Sequence, residues 1–410
     1  MKRQSWFKVA ALAIAAIATL IGVELLATAF LSVRSHRYIP THTRLEARRN
    51  TFIDDVTKSA SGCRYIDTLF PHPYVAFVHH RNPPCGMADA NNIGLLGPDY
   101  PSDHRADRFV VLVTGGSVAA QFMKPVSSGP SYLERVLERK YVAPNGRPVL
   151  LLNGGDGAGK QPQQLFLFLL YADAVDGVVT LDGFNEHYMF GAGLRFELPA
   201  NNFAAVNPLL NSNYSAIVKQ WMAGKLYAYA AANPLLSRSQ AGYIALAALD
   251  DYLRRVPTVA PAAQRTTVES IFALPTDWDE PRRRAWALRQ YEKYLHAMDA
   301  VASQQSVLAA HFIQPVPAIG KTLSDDEQRV AGDLGYAGMY QRMTSDLVAT
   351  SLPAMPIVSL LDVFASHRET LYADPIHMRQ ANDGQSAGYE LMAERIADTL
   401  ARVWHLRAKS

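Results

Sequence analysis

The sequence predicts an α/β protein, with a parallel β-sheet covered by helices on both faces and one membrane-spanning helix ahead of it. Two observations predict the sheet. Short apolar runs alternate with helical segments between residues 109 and 181, and the alternation resumes after residue 280. Such alternation is typical of parallel strands, which are buried on both faces. A third observation, an apolar stretch near the amino terminus, predicts the spanning helix.

The predicted elements derive from the same apolar and helical patterns along the chain. The first strand is the run Phe-Val-Val-Leu-Val at residues 109–113, which ends at the loop Thr114-Gly115-Gly116-Ser117. A short continuous apolar run bounded by glycines indicates a buried strand. The remaining predicted elements are strands at 149–152, 178–181, 307–313 and 357–361 and helices at 131–141, 162–172, 280–303 and 387–403.

Three regions are expected along the chain. Residues 1–34 form a cytoplasmic tail and membrane anchor, and residues 35–105 form an irregular lead-in, rich in Pro, His, Asn and Gly, that packs on the main domain. Residues 106–405 form the α/β domain. Within it the alternation stops between about 190 and 280, where helical segments at 214–232 and 240–255 predict a helical insertion or lid.

The predicted spanning helix lies in an apolar stretch from Val9 to Val33 whose single ionisable residue is Glu24. A helix of this length spans about 37 Å, which exceeds the roughly 30 Å of a hydrocarbon core. A cleaved signal peptide is the alternative, because Ala27-Thr28-Ala29 fits a small-x-small cleavage site. Basic residues on the two sides of the stretch nearly balance, so the positive-inside rule leaves its orientation open.

Charge and cysteine content exclude several functional classes. Lys and Arg total 40 and Asp and Glu total 37, for a net charge of +3, which is too balanced for a nucleic-acid-binding surface. The two cysteines, Cys63 and Cys85, exclude a disulfide-rich scaffold and a cysteine-built zinc site. They leave room for one disulfide in an oxidising compartment.

Residues whose side chains are suited to catalysis lie directly after the predicted strands. Ligands of parallel sheets bind beyond the carboxyl ends of the strands. Ser117 follows the first strand, a Gly-rich loop (residues 154–161) follows the second, and Asn185 follows the third. An asparagine amide can donate to a developing oxyanion without titrating. Near the carboxyl terminus, Asp374 precedes His377 by three residues, a spacing that lets the carboxylate orient the imidazole as a base toward a serine.

Other interpretations of these loops are weaker. Gly154 to Lys160 matches the Gly-x-x-x-x-Gly-Lys spacing of a phosphate-binding loop, but Gln161 stands where Ser or Thr would hold magnesium. A dinucleotide-binding Gly-x-Gly-x-x-Gly pattern that begins at Gly155 is incomplete, because residue 160 is a lysine. His311, at the end of a predicted strand, is interpreted as a buried structural histidine rather than a pocket residue. Glu186 and His187 either contact substrate or lie in a solvent-facing turn.

In order and spacing, these blocks resemble the SGNH (GDSL-like) hydrolase family over about residues 71–404. The resemblance implies a flavodoxin-like three-layer α/β/α fold and a serine esterase with Ser117 as nucleophile, His377 as general base and acid, and Asp374 as its orienting carboxylate. Two departures are that the first block reads Gly-Gly-Ser-Val instead of Gly-Asp-Ser-Leu, and that extra residues 382–385 come after the histidine.

The same resemblance implies an oxyanion hole. Its donors would be the Ser117 amide, the Asn185 side chain and one amide of the Gly-rich loop. Gly155, Gly157 and Gly159 all remain candidates for that amide, and Gly157 is preferred because it leaves Gln163 onward as the following helix.

We therefore expect a membrane-anchored serine hydrolase of carboxylic esters that uses neither a metal nor an organic cofactor and does not bind nucleic acid. Anchored members of the family imply a single-pass protein of the inner membrane with its catalytic domain in the periplasm. The expected substrates are O-acyl groups, such as O-acetyl groups on envelope glycans, or lipid esters. Two alternatives stay open: an O-acyltransferase acting on envelope polysaccharide, and a non-catalytic envelope assembly or carbohydrate-binding protein on the same scaffold.

Overall fold

A computed structural model describes residues 2–49, 68–81, 90–100, 107–124, 129–198, 214–255, 271–381 and 384–409. The chain divides into two compact units. The described part of the first, here the anchor unit, comprises residues 2–49 and 214–255. The described part of the second, the α/β unit, comprises the remaining ranges. Cys63 and Cys85, and with them the question of a disulfide, lie outside the described residues.

The two units do not coincide with the predicted boundaries. The lead-in divides between them, because residues 35–49 belong to the anchor unit while 68–81 and 90–100 belong to the α/β unit. The helical insertion, expected within the α/β domain, belongs to the anchor unit together with the amino-terminal helices. The physical reason is that the insertion is apolar and packs its helices on those helices.

The core of the α/β unit is a five-stranded sheet in which all strands are parallel. The strands are β3 (Phe109–Gly115), β5 (Val149–Gly155), β6 (Gly177–Asp182), β7 (Leu308–Ile313) and β8 (Ile357–Ser359). Their order across the sheet is β5-β3-β6-β7-β8, and every residue of β3 is buried. In chain order of these five strands the arrangement is 2-1-3-4-5, the doubly wound order that flavodoxin also has.

Helices cover both faces of the sheet, as predicted. Alternate residues of β3 supply two separate cores: Val110 and Leu112 pack into one, and Val111 and Val113 into the other. The first face carries α5 (Gln163–Tyr171), α6 (Phe184–Ala192), α9 (Glu280–Gln305) and α11 (Ala337–Val348). The second carries α3 (Ser117–Phe122), α4 (Tyr132–Lys140) and α12 (Ala387–Val403). A short helix, α10 (Asp325–Val330), precedes α11.

Two small antiparallel pairs complete the α/β unit. The hairpin of β1 (Leu69–His72) and β2 (Ala76–His79) lies in the lead-in, where the sequence pattern predicts no strand. Each strand is only four residues long and the first contains Pro71, so the pair lacks a recognisable apolar period. The second pair joins β4 (Tyr141–Val142) to β9 (Arg407–Ala408).

The anchor unit is helical. It contains α1 (Lys2–Ser35), α2 (Thr41–Arg49), α7 (Tyr214–Ala232) and α8 (Gln240–Arg255), with a 3₁₀ turn at Leu236–Arg238. Within α1, Ala10–Ser35 is long and apolar enough to cross a membrane, and nearly all of its surface is exposed. The observed bounds of α7 and α8 coincide with the predicted segments.

Candidate active site

The structure brings Ser117, His377 and Asp374 together in one hydrogen-bonded chain. The Ser117 Oγ lies 2.8 Å from His377 Nε2, although 260 positions separate the two residues. The Nδ1 atom of His377 lies 2.7 Å from Asp374 Oδ2. Ser117 is the first residue of α3, directly after β3, and all three side chains remain partly accessible. The geometry is that required for a serine whose proton passes to an oriented imidazole.

The Asp374 carboxylate is held in place by its own loop. Its Oδ1 accepts backbone N–H groups from Ile376 at 2.9 Å and His377 at 2.7 Å. Burial alone would raise the pKa of Asp374, but hydrogen bonds from the His377 side chain and these two amides outweigh it and leave the pKa below its usual value. Asp374 is therefore ionised at neutral pH, favours a proton on Nδ1 of His377, and leaves Nε2 to accept the serine proton.

The two glycines before Ser117 permit the close approach of neighbouring loops. A Cβ on Gly115 would overlap the carbonyl oxygen of Leu181 at the end of β6. A Cβ on Gly116 would overlap the Nδ2 atom of Asn185. Consequently the Asn185 amide lies against the residue that precedes the nucleophile. These loops come after β3 and β6, between which the strand order reverses, and that position is where doubly wound sheets bind ligands.

Asn185 also connects the third loop to the Gly-rich loop. Its Nδ2 donates to the Gly159 carbonyl oxygen at 2.8 Å, which uses one of its two hydrogens. Ser117, as the first helical residue, has no acceptor for its amide within α3. Two of the three predicted oxyanion donors thus belong to loops that meet at Gly116.

The choice among the loop glycines stays a prediction. The Gly157 amide donates to Asp156 Oδ1 at 2.7 Å, and the Gly159 amide donates to the Asp156 carbonyl oxygen at 3.0 Å. The Gly155 amide donates to Asn153 Oδ1 at 3.1 Å, and a Cβ on Gly155 would overlap the backbone of α3. Gly155 therefore serves packing of α3 on β5.

Glu186 braces the side of the candidate site that carries Asn185. Its side chain is fully buried, with Oε1 accepting the Gln161 amide and Oε2 accepting the Gly183 amide, each at 2.9 Å. It therefore ties the end of the Gly-rich loop to the turn before Asn185. The solvent-facing turn considered from the sequence is wrong for Glu186 and for His187, which is buried beside aromatic rings. Substrate contact by either residue stays a prediction.

A buried polar cluster continues behind Glu186. Asp182, the last residue of β6, accepts a hydrogen bond from Tyr291, and its Oδ1 lies 3.2 Å from Nε2 of His311. Burial raises the pKa of Asp182, whereas burial lowers that of His311 to about 3. Burial, and to a lesser extent the nearby Asp182 carboxyl, raises the pKa of Glu186 to about 8. His311 is thus a buried, neutral residue, as the sequence indicated.

Glu327 braces the opposite side of the site, and no sequence pattern points to this role. Its Oε1 accepts the amides of Leu371 and Tyr372, at 2.8 and 3.1 Å, at the start of the loop that carries Asp374 and His377. Its Oε2 accepts the Lys321 ammonium at 2.9 Å, and both side chains are buried. The Ser324-x-x-Glu327 spacing of a capping box marks the start of α10. That signal locates the helix but not the second loop.

The lead-in hairpin also contacts the Gly-rich loop. His79 Nε2 lies 3.3 Å from Asp156 Oδ2. Burial lowers the pKa of His79 to about 4 and raises that of Asp156 well above its ordinary value. His79 is therefore neutral at pH 7, and burial favours the protonated form of Asp156. The hairpin and the loop together line a cavity of about 40 Å³.

Lys160 does not have the placement of a phosphate-binding lysine. It is buried, and its Nζ donates to the carbonyl oxygens of Phe196, at 2.8 Å, and Leu198. Burial lowers the pKa of Lys160 to about 8. The ammonium thus anchors the chain after α6 instead of facing the loop amides. Among the residues that the structure describes, no group of three or more His, Cys, Asp or Glu side chains could hold a metal ion.

No protein-family model matches this chain, and no curated protein matches it at significant similarity. A functional assignment therefore depends on the geometry of the site and on the resemblance of its sequence blocks.

Proposed function

We propose that the protein is a membrane-anchored serine esterase of the SGNH type, cleaving O-acyl esters of glycans or lipids. The single observation that carries the proposal is the chain Ser117–His377–Asp374, with contacts of 2.8 and 2.7 Å, beyond the carboxyl ends of a parallel sheet. The proximity of the Asn185 amide supports it, because acyl transfer needs a donor for the developing oxyanion.

In the proposed reaction, Ser117 Oγ attacks the acyl carbonyl carbon while His377 Nε2 takes its proton. The tetrahedral oxyanion accepts hydrogen bonds from the Ser117 amide, the Asn185 side chain and one amide of the Gly-rich loop. Gly157, whose amide donates to Asp156 Oδ1 in this structure, would exchange that contact for the oxyanion. Collapse breaks the ester C–O bond, and His377 returns the proton to the leaving alcohol. Water, deprotonated by His377, then attacks the acyl-serine and releases the carboxylic acid. The proposed chemistry uses only side chains and backbone groups.

The proposed location is the inner membrane, with α1 as a single span and the α/β unit in the periplasm. Length and apolar composition of α1 support the span. The family resemblance supports the orientation. There the enzyme would reach O-acetyl groups on envelope glycans or esters of membrane lipids.

Covalent labelling tests the nucleophile directly. A fluorophosphonate probe should modify the wild-type chain at Ser117, as located by peptide mapping, and should fail to label Ser117→Ala. The matched control is Ser345→Ala, which removes an exposed serine of α11 and should label fully. In parallel, Ser117→Ala and His377→Ala should each reduce hydrolysis of a short chromogenic ester by about three orders of magnitude. Unchanged labelling and rates in both variants would refute the proposal.

Product analysis distinguishes hydrolysis from acyl transfer, since an acyl-serine can react with water or with a sugar hydroxyl. With an acyl donor and a glycan acceptor present, release of free acid alone supports the esterase. Appearance of an acylated acceptor that depends on Ser117 supports the transferase.

A further inference from the structure

The helical insertion of the anchor unit has the composition of a membrane-embedded segment. Residues 226–249, here called the hairpin tip, cover the end of α7, the 3₁₀ turn and the start of α8. They contain a single charged side chain, Arg238. A water-exposed helical hairpin normally carries charged residues on its outer face.

Large apolar side chains project from the hairpin tip. Leu235, at the turn, is 82% exposed, and Leu236 beside it is also exposed. Tyr229 on α7 and Leu249 on α8 extend the exposed apolar surface along both helices. Several exposed large apolar side chains on one short hairpin are typical of an interaction surface.

The hairpin tip is joined to α1 through Glu24, the single ionisable residue of the apolar stretch. The Glu24 carboxylate accepts the backbone amides of Gln240 and Ala241, at 2.5 and 3.2 Å, and the Ser239 hydroxyl at 2.8 Å. It therefore caps the amino terminus of α8, where the helix dipole favours a negative charge. An unpartnered carboxylate in a membrane-spanning helix is costly, and this contact provides its partner.

The apolar surface of α1 continues past that contact. Ala27 and Leu31 are buried within the anchor unit, whereas Leu26, which is 72% exposed, Phe30 and Val33 are exposed. Val33 lies nine residues beyond Glu24, or about 14 Å along the helix. If lipid covers α1 as far as Val33, it also surrounds the hairpin tip packed beside Glu24.

We propose that the hairpin tip is inserted into the lipid bilayer alongside α1, with Leu235 and Leu236 among the acyl chains. The occupant of the apolar surface is lipid, because Glu24 holds the hairpin tip against the middle of the apolar, exposed helix α1. Arg238 is exposed, and an arginine side chain is long enough to carry its charge away from an apolar surface on which its stem lies. The anchor is then a spanning helix plus a helical hairpin that enters from one side. This inference rests on the proposed span of α1 and is independent of the esterase activity.

Photocrosslinking tests this placement. The full chain, carrying Leu235→p-benzoylphenylalanine, is reconstituted in nanodiscs of phosphatidylethanolamine and phosphatidylglycerol, irradiated, and analysed for phospholipid adducts by mass spectrometry. The positive control is the same substitution at Leu26 on α1. The negative control is Val348 on α11, an apolar side chain of the α/β unit that is 44% exposed. The exposed positions tolerate the bulky residue without repacking.

We expect the adduct yield at Leu235 to be within about twofold of that at Leu26 and at least about fivefold above that at Val348, because acyl chains surround only membrane-embedded positions. A yield at Leu235 as low as at Val348 would overturn the proposal, as would crosslinking of Leu235 only to a second copy of the chain. Absence of the adduct at Leu26 would contradict both the proposed membrane span of α1 and the proposed insertion of the hairpin tip. The esterase proposal, which fluorophosphonate labelling tests, would be unaffected.

Discussion

Two buried glutamates support opposite sides of the candidate site, and their backbone contacts are alike. Glu186 and Glu327 each occupy the third position of a helix and accept the amide of the residue that precedes that helix. Each also accepts an amide from a second loop: Gln161 of the Gly-rich loop for Glu186, and Leu371 at the start of the Asp374–His377 loop for Glu327.

Their charges differ because their neighbours differ. For Glu327, burial would raise the pKa, but the Ser324 amide, the Lys321 ammonium and the amides of the second loop lower it below its ordinary value. Glu186 instead has the Asp182 carboxyl nearby, and burial raises its pKa to about 8. Burial raises the pKa of both carboxyls, but only at Glu327 do hydrogen bonds from the Ser324 amide, the Lys321 ammonium and the second loop outweigh it.

The largest expected effect comes from removing the charge of Glu327. In Glu327→Gln the buried Lys321 ammonium loses its counter-ion, so the free energy of unfolding should fall by about 3–5 kcal/mol. Urea unfolding of the full chain in detergent micelles measures it. Lys321→Met added to Glu327→Gln should recover much of the loss, because both partners are then neutral. A cost no larger than that of Glu280→Gln, which breaks an exposed pair with Arg284, would contradict the assignment.

A smaller effect, with a different pH dependence, is expected for Glu186→Gln. The amide retains the shape of a protonated carboxyl but loses one accepted hydrogen bond, so the cost at pH 5 should be about 1–2 kcal/mol. The folded pKa of Glu186 is raised, so its contribution to stability is complete below the unfolded value near 4.5 and is lost as pH rises through about 8. The cost of Glu186→Gln should therefore shrink between pH 5 and pH 9.

The contribution of Glu327 to stability should change with pH in the opposite direction. Because its folded pKa is depressed, its contribution is present above the unfolded value and is lost as pH falls through the folded value. Urea unfolding of wild type and both variants at pH 4, 5, 7 and 9 compares the two profiles. If the costs of Glu186→Gln and Glu327→Gln changed with pH in the same direction, the two carboxyls would have the same charge state, which would contradict the difference inferred here.

The strands, the main helices and the meeting of polar side chains at the strand ends were predictable from the sequence, for a local reason. Apolar periodicity gives the bounds of α7, α8 and α12, and parallel strands bring their carboxyl ends to one edge, which places Ser117 beside Asn185. The braces were not predictable. Glu186 contacts a loop 25 positions earlier and Glu327 one 44 positions later, so neither second partner leaves a local pattern.

Asp156 extends the comparison to a third carboxyl and gives the smallest expected effect. It faces His79, which is neutral at pH 7, and burial raises its pKa well above the ordinary value. It should therefore resemble Glu186. Asp156→Asn keeps an acceptor for the Gly157 amide, so ester hydrolysis should stay within about twofold of wild type. Asp156→Ala releases that amide and should lower kcat about tenfold by displacing the Gly-rich loop. A large loss in Asp156→Asn would mean that Asp156 acts as a carboxylate, which its neutral neighbour does not favour.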